Sequence, residues 1–147
     1  MNKIIRKIQH SEKVYRFDVE APLIAKSRKA GNFVIIRVDA KSERMPLTIA
    51  DADIEKGTIT LVVQKVGLSS TKLCNLNEGD EIHDVVGPLG NPTHIENFGT
   101  VLCAGGGVGV APMLPIIKAL KAAGNRVLSV IAGRSKDLVI MEDEVRA

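Results

Sequence analysis

Three short stretches of this sequence carry residue types that can hold a phosphorylated ligand or a flat polar ring. The richest is Gly105-Gly106-Gly107-Val108-Gly109-Val110-Ala111-Pro112. Its glycines let the backbone approach a bulky anion closely, and a helix that follows them offers unpaired N–H groups and a positive dipole end. It departs from the usual GxGxxG fingerprint because Pro112 stands where the last glycine would be. The same glycines also suit a strand-to-helix turn that binds nothing. In the second stretch, Arg44-Met45-Pro46-Leu47-Thr48, a guanidinium can fork onto a phosphate. There Pro46 stiffens the chain and Thr48 adds a hydroxyl, although an Arg and a Pro entering an edge strand are also ordinary. The third, Gly67-Leu68-Ser69-Ser70-Thr71, opens a short helix, where Ser70 or Thr71 can serve as a cap or face phosphate oxygens.

Little else suggests catalysis. His10, His83 and His94 are scattered without metal-ligand spacing, and no serine sits in a nucleophile elbow. Glu142, Asp143 and Glu144 read as a solvated helix face. Chemistry must therefore come from a cofactor.

The elements that position these stretches fall into two groups. Residues 3–9 and 13–20 alternate apolar and polar side chains, as a half-exposed antiparallel pair would. Further strands are expected over 32–39, 45–50, 58–65 and 81–86, with Gly87-Pro88-Leu89-Gly90 as a turn. A short helix is expected from about Ser69–Thr71 to Asn75. Short strands separated by turn signals predict a small antiparallel β-barrel over residues 1–97. The character changes after Asn97. Thr100–Ala104 reads as a strand buried on both faces of a parallel sheet, followed by a helix from about Pro112 to Ala123 with Gly124 at its end. A second buried strand over 127–132 and a helix over 137–145 complete the front of an α/β lobe, residues 98–147. Such a lobe normally has several more strands, so the sequence reads as an incomplete, C-terminally truncated Rossmann-like unit.

The 147 residues are 45% apolar and 25% charged, enough for a packed core without staples. With three Phe, one Tyr and no Trp the core must be aliphatic, and stacking platforms for single-stranded nucleic acid are missing. Two distant cysteines, Cys74 and Cys103, read as reduced buried thiols. No apolar run reaches the roughly 18 residues of a membrane helix. The expected setting is cytoplasmic, away from membranes and nucleic acid.

In this order the three stretches resemble the ferredoxin–NADP reductase superfamily. There a flavin-binding barrel with an R-x-x-[ST]-type motif precedes a Gly-x-x-[ST] helix start and a nucleotide lobe that opens with GxGxAP. The wording Arg44-Met45-Pro46-Leu47-Thr48, with Val86 to Gly90, is similar to one branch. It holds the small subunits of NADH-dependent ferredoxin:NADP oxidoreductases and the electron-transfer subunits of dihydroorotate dehydrogenases.

The resemblance implies a site. Arg44 would bind flavin phosphate, Pro46, Leu47 and Thr48 would line the isoalloxazine ring, and Thr48 would lie near its reactive nitrogen as the catalytic position. Leu61, Val62, Val63 and on to Gly67 would border the ribityl and adenosine side. Ser70 and Thr71 would cap a helix pointing at a pyrophosphate, which favours FAD over FMN. Gly105, Gly106, Gly107, Gly109 and Pro112 would face a nicotinamide cofactor. Hydride would pass from it to the flavin, and single electrons onward to an iron–sulfur partner or larger reductase subunit.

Two departures stand out. Leu47 replaces the Tyr that many members stack on the ring. The four cysteines of a two-iron cluster, expected only in a full-length protein, are not in this sequence. Gly133-Arg134-Ser135-Lys136 has no acid for a ribose hydroxyl, which points to NADP(H), whereas the branch implies NAD(H). The alternative function is a non-catalytic barrel module that docks a partner subunit or self-associates through the incomplete lobe, as a homo-oligomer.

Overall fold

The computed structural model describes residues 2–147. Seven antiparallel strands curl into a half-barrel: β1 (Asn2–Gln9), β2 (Val14–Glu20), β3 (Phe33–Arg37), β4 (Met45–Asp53), β5 (Thr58–Gln64), β6 (Glu81–Ile82) and β7 (Asp84–Leu89). Their spatial order is β6-β1-β2-β5-β4-β3-β7. Period-two alternation decides which side chains enter the barrel. Phe17, Val34, Ile49, Ile59, Leu61 and Val63 point inward into a nearly dry aliphatic core. On the outer face, Val14, Ala50 and Val62 form a second apolar patch.

Two short helices lie against the barrel. Pro at the first position starts α1 (Pro22–Ser27), which places Ile24 and Ala25 in the barrel core. Its six residues show too little periodicity to betray a helix in the sequence. After β5 comes α2 (Leu68–Cys74).

The α/β unit consists of β8 (Thr100–Gly106), a 3-10 turn at Gly107–Gly109, α3 (Val110–Ala122) and β9 (Arg126–Ala132), followed by a 3-10 turn at Lys136–Leu138 and α4 (Glu142–Arg146). β8 and β9 pair in parallel, Leu102 beside Leu128 and Ala104 beside Val130. Helix α3 covers one face of this pair through Met113, Ile117 and Leu120, packed on Cys103, Val101 and Val127. It also lays Val110, Ala111 and Leu114 on the outer barrel patch, so the two units share an apolar seam.

Several expected elements differ. The segment Gly87-Pro88-Leu89 is not a turn but the end of β7, since Phe33 of β3 pairs with Leu89. β4 extends to Asp53, beyond the expected Ala50. β8 runs on through Gly105 and Gly106 because β9 pairs with both. α3 starts two residues before Pro112. The helix expected over 137–145 is a 3-10 turn, an extended link and only then α4. Strand β8 is not buried on both faces: Thr100, Leu102 and Ala104 are exposed, because α3 lies on the other side alone.

Candidate functional site

The site starts from an opening in the barrel. β4 pairs with β5 only from Ile49 to Asp53, and a register shift at Ala50 ends the regular ladder. The first half of β4 pairs with β3 alone, Thr48 opposite Phe33 and Pro46 opposite Ile35. The last residues of β5, Val62 to Gln64, pair with β2 alone. The strands diverge, and alternate backbone N–H and C=O groups on both arms face the opening without a ladder partner. Pro46 and Thr48 stand on the outer face here, in step with Ala50. Leu47, between them, packs its side chain on the barrel core.

Beyond β5 the chain enters α2 with Gly67 as N-cap. Having no side chain, Gly67 cannot make the usual side-chain cap, and Ser70 does the work instead. The Ser70 hydroxyl accepts from the N–H groups of Val66 (3.0 Å) and Gly67 (2.9 Å) and donates to the Gly67 carbonyl (3.1 Å). It is buried and fully used, so of the two expected capping residues Ser70 shapes the turn, while Thr71 is half-buried. At the other end of α2, the Lys7 ammonium donates to the Cys74 and Leu76 carbonyls, both at 2.7 Å, lying over the Tyr15 ring. Lys72 reaches back to Asp39 (3.1 Å) and Ser42 (3.3 Å), tying α2 to the loop that ends in Arg44. The Ser42 hydroxyl, the Lys41 amide and Lys72 together hold the Asp39 carboxyl down at about 2. Arg44 itself is exposed and makes no ion pair among the described residues.

The glycine stretch closes the third side, its 3-10 turn lying against β5. Its glycines serve different ends. A Cβ on Gly105 would come within 3.2 Å of the end of the Met113 side chain, a tight contact that the methionine would have to ease by a few tenths of an ångström. Gly107 has φ +55°, which L side chains rarely adopt. At Gly109 the backbone is ordinary helix, φ −64°, and a Cβ would meet nothing within 4 Å. Packing does not need glycine there; Gly109 is the N-cap of α3, and the space beside it is open. Pro112 is half-buried within the first turn of α3. A cleft of about 520 Å³ joins this loop to the barrel; Gly107, Arg134, Lys13 and Gln64 line it.

Gly67 follows the end of β5 and the 3-10 turn at Gly107–Gly109 lies against β5, while Pro46 and Thr48 lie on the part of β4 that has left β5 and Arg44 is on a loop tied to α2. Leu61 and Val63 are not brought to the site by their side chains, which fill the barrel core; Val62 lies on the outer seam. Sequence reasoning missed Lys7 and Lys72, which fix α2, and Asn125, which holds the start of β8. Their signals are single polar residues whose partners lie far away in sequence. Cys74 and Cys103 sit in separate cores, and burial raises both thiol pKa values.

The open backbone arms, the unpaired Arg44 and the uncrowded Gly109 fit a flat polar ring with a phosphorylated tail. Residues 3–94 match the oxidoreductase FAD-binding domain, and the chain belongs to that family. It is 48% identical over 146 residues to a dihydroorotate dehydrogenase B (NAD(+)) electron transfer subunit homolog of Thermotoga maritima, covering 99% of this chain and 52% of the relative. The corresponding electron transfer subunit of Bacillus caldolyticus is 32% identical over 143 residues, covering 93% of this chain and 55% of the relative. The chain spans about half the length of the curated relatives it matches. Among solved structures, an NADH-dependent reduced ferredoxin-NADP oxidoreductase superposes with TM-score 0.95 at 48% identity, over 99% of this chain and 52% of that one. Phthalate dioxygenase reductase shares the fold, with TM-score 0.82 at 22% identity, over 100% of this chain and 48% of its own. The chain belongs to the oxidoreductase FAD-binding domain family within the ferredoxin–NADP reductase superfamily, and FAD is that family's cofactor.

Proposed function

We propose that this chain is the flavin-holding part of an electron-transfer subunit, passing electrons between NAD(P)H and an iron–sulfur partner through FAD. The observation that carries this reading is the divergence of β4 from β5, with Pro46 and Thr48 on the freed part of β4 and the 3-10 turn at Gly107 lying against β5. When bound, the flavin takes hydride from a nicotinamide and gives electrons up singly. The chain's own residues hold the partners. Backbone groups of β4 and β5 and the Thr48 hydroxyl would hold the polar ring edge, with Thr48 as the residue nearest the chemistry. Arg44 neutralises phosphate, and the backbone before α2 takes the rest of a dinucleotide tail. Gly109 leaves room for the nicotinamide cofactor, and Arg134 faces its phosphates. We assign residues 1–97 to the flavin unit and 98–147 to the first part of the nucleotide unit, in a cytoplasmic protein. Among the described residues no helix is long and apolar enough to cross a membrane.

The test is the visible spectrum of the purified chain with added FAD, before and after anaerobic NADH or NADPH. A flavin band that either nucleotide bleaches supports the reading. No band even with excess FAD overturns it.

A second reading has its own observation. The open face of β8 and β9 presents Leu102 (65% exposed), Leu128 (44%) and Val130 (54%) side by side, where parallel strands are ordinarily covered. Self-association through this face is compatible with flavin binding on the other side of the molecule.

A further inference from the structure

The cleft beside the glycine loop belongs to both units. One wall is the turn at Gly107-Val108 together with Gly133 and Arg134, which follow β9; the other is the tip of the β1–β2 hairpin, Ser11 to Val14, with Gln64 of β5. Its floor is the apolar seam, since Val14 of the barrel and Ile140 of the link before α4 line the cleft and pack in one cluster with Val62 and Val110. Packing therefore fixes the spacing of the two walls.

Each wall presents a cation on a held backbone. On the hairpin, the Lys13 carbonyl accepts from the Lys65 N–H at 2.7 Å, and the His10 and Ser11 N–H groups converge on the Val14 carbonyl at 2.8 and 3.3 Å. The Lys13 side chain is exposed and makes no ion pair among the described residues. Opposite it, Gly133 is pressed against the backbone of Leu138 and Val139, where a Cβ would come within 2.9 Å. That contact fixes the turn from which Arg134 projects, also exposed and also unpaired. Glu12 is the only carboxylate lining the cleft, so it carries a net positive charge. Its remaining polar groups are a hydroxyl (Ser11), an amide (Gln64) and glycine backbone. Two cations across a cleft of about 520 Å³, lined with hydrogen-bonding groups, suit an extended ligand carrying phosphates.

We propose that Lys13 completes, with Arg134, a cationic clamp for the diphosphate-bearing half of the nicotinamide dinucleotide, so that the barrel hairpin supplies one wall of the nucleotide site. No motif in the sequence marks Lys13, because its role depends on the hairpin meeting the α/β unit. The inference rests on the dinucleotide reading of the glycine loop but not on flavin binding. ADP-ribose, which has the diphosphate and no redox chemistry, is therefore the probe.

The experiment is calorimetric titration of the whole chain, with and without FAD, using wild type, Lys13→Ala, Arg134→Ala and Glu12→Gln. Lys13→Ala and Arg134→Ala are each expected to weaken ADP-ribose binding about tenfold, the loss of one charge-assisted contact. Glu12→Gln is expected to tighten it, and the Lys13 effect should shrink at high salt. All three side chains are exposed, so unchanged thermal melts serve as the folding control. If Lys13→Ala binds as wild type does while Arg134→Ala is weakened, the shared clamp is wrong and the reading of the loop stands. If wild type takes up FAD but no ADP-ribose, the dinucleotide reading of the loop falls, and the clamp with it.

Discussion

Gly109 and Gly105 separate two reasons for a glycine that look the same in a sequence. Gly109 is in helical geometry with open space where a side chain would go. Gly109→Ala should therefore leave the fold intact and raise stability by about 0.4–1 kcal/mol, through the lost freedom of the unfolded chain. On the proposed function it should also impair reduction by NAD(P)H. A melt that rises while nucleotide reduction falls is the expected signature; unchanged reduction would remove Gly109 from the site. Gly105→Ala should raise the melt less than Gly109→Ala does, because its Cβ meets the end of the Met113 side chain at 3.2 Å. Ser70→Ala releases the two N–H groups of Val66 and Gly67 and should cost about 1 kcal/mol in urea unfolding. The run of glycines and the helix-opening serine were legible as candidates for a site. Which of them touch a ligand was not, because that depends on Met113 above one glycine and nothing above another.

At the scale of elements, periodicity revealed most of the barrel strands and α3, whose patterns are long and whose ends carry Gly124 and a proline. It failed where a neighbour decides the outcome. Gly87-Pro88 reads as a turn but lies in β7 because β3 lies alongside. The glycines at 105 and 106 read as loop but are held straight by β9. The divergence of β4 from β5 is a fact of register, which no single strand encodes.

Asn125 shows how much one unmarked residue can organise. Its carbonyl accepts from the N–H groups of Phe98 (2.6 Å) and Gly99 (3.1 Å), and its amide donates to Glu96 (2.8 Å) and Leu120 (2.9 Å). The end of α3 and the entry to β8 are stapled together. Asn125→Ala should cost about 2 kcal/mol, since it strands buried partners. Amide exchange should accelerate over 98–106 first, ahead of the barrel.

The seam between hairpin and α4 has a pH dependence of its own. Burial pushes the His10 pKa below 6.5, a shift that Glu144 opposes and Arg16 reinforces, and the Nε2 atom is sealed without a partner. The folded state then favours neutral histidine and, as pH falls, binds fewer protons than the unfolded chain. Stability should therefore be full above about pH 6.5 and decline as pH drops from there towards the lowered folded value. His10→Leu should flatten that part of the profile in urea midpoints measured between pH 5 and 7.5. An unaltered profile would assign the pH dependence to other groups.

Over the described residues, which span about half the length of the curated relatives, the sheet of two parallel strands has one bare face. Alternation places Thr100, Leu102 and Ala104 beside Arg126, Leu128 and Val130, so the only charge on this part of the surface lies at its edge. The apolar wording of both strands announced burial on two faces; the sequence could not announce that α3 would cover only one. A net charge of +3 offers little repulsion against pairing. Two copies stacked face to face would bury both leucine pairs, and in an antiparallel arrangement the two Arg126 side chains would sit at opposite ends. Such a dimer is isologous and closes on itself, which limits growth to two. Sedimentation should therefore show a concentration-dependent monomer–dimer equilibrium, and Leu128→Lys should shift it to monomer. Because Leu128 points away from α3 and the cleft, that variant should keep its melt and any flavin band. A wild-type chain that stays monomeric at high concentration would end the self-association reading and leave the flavin site standing.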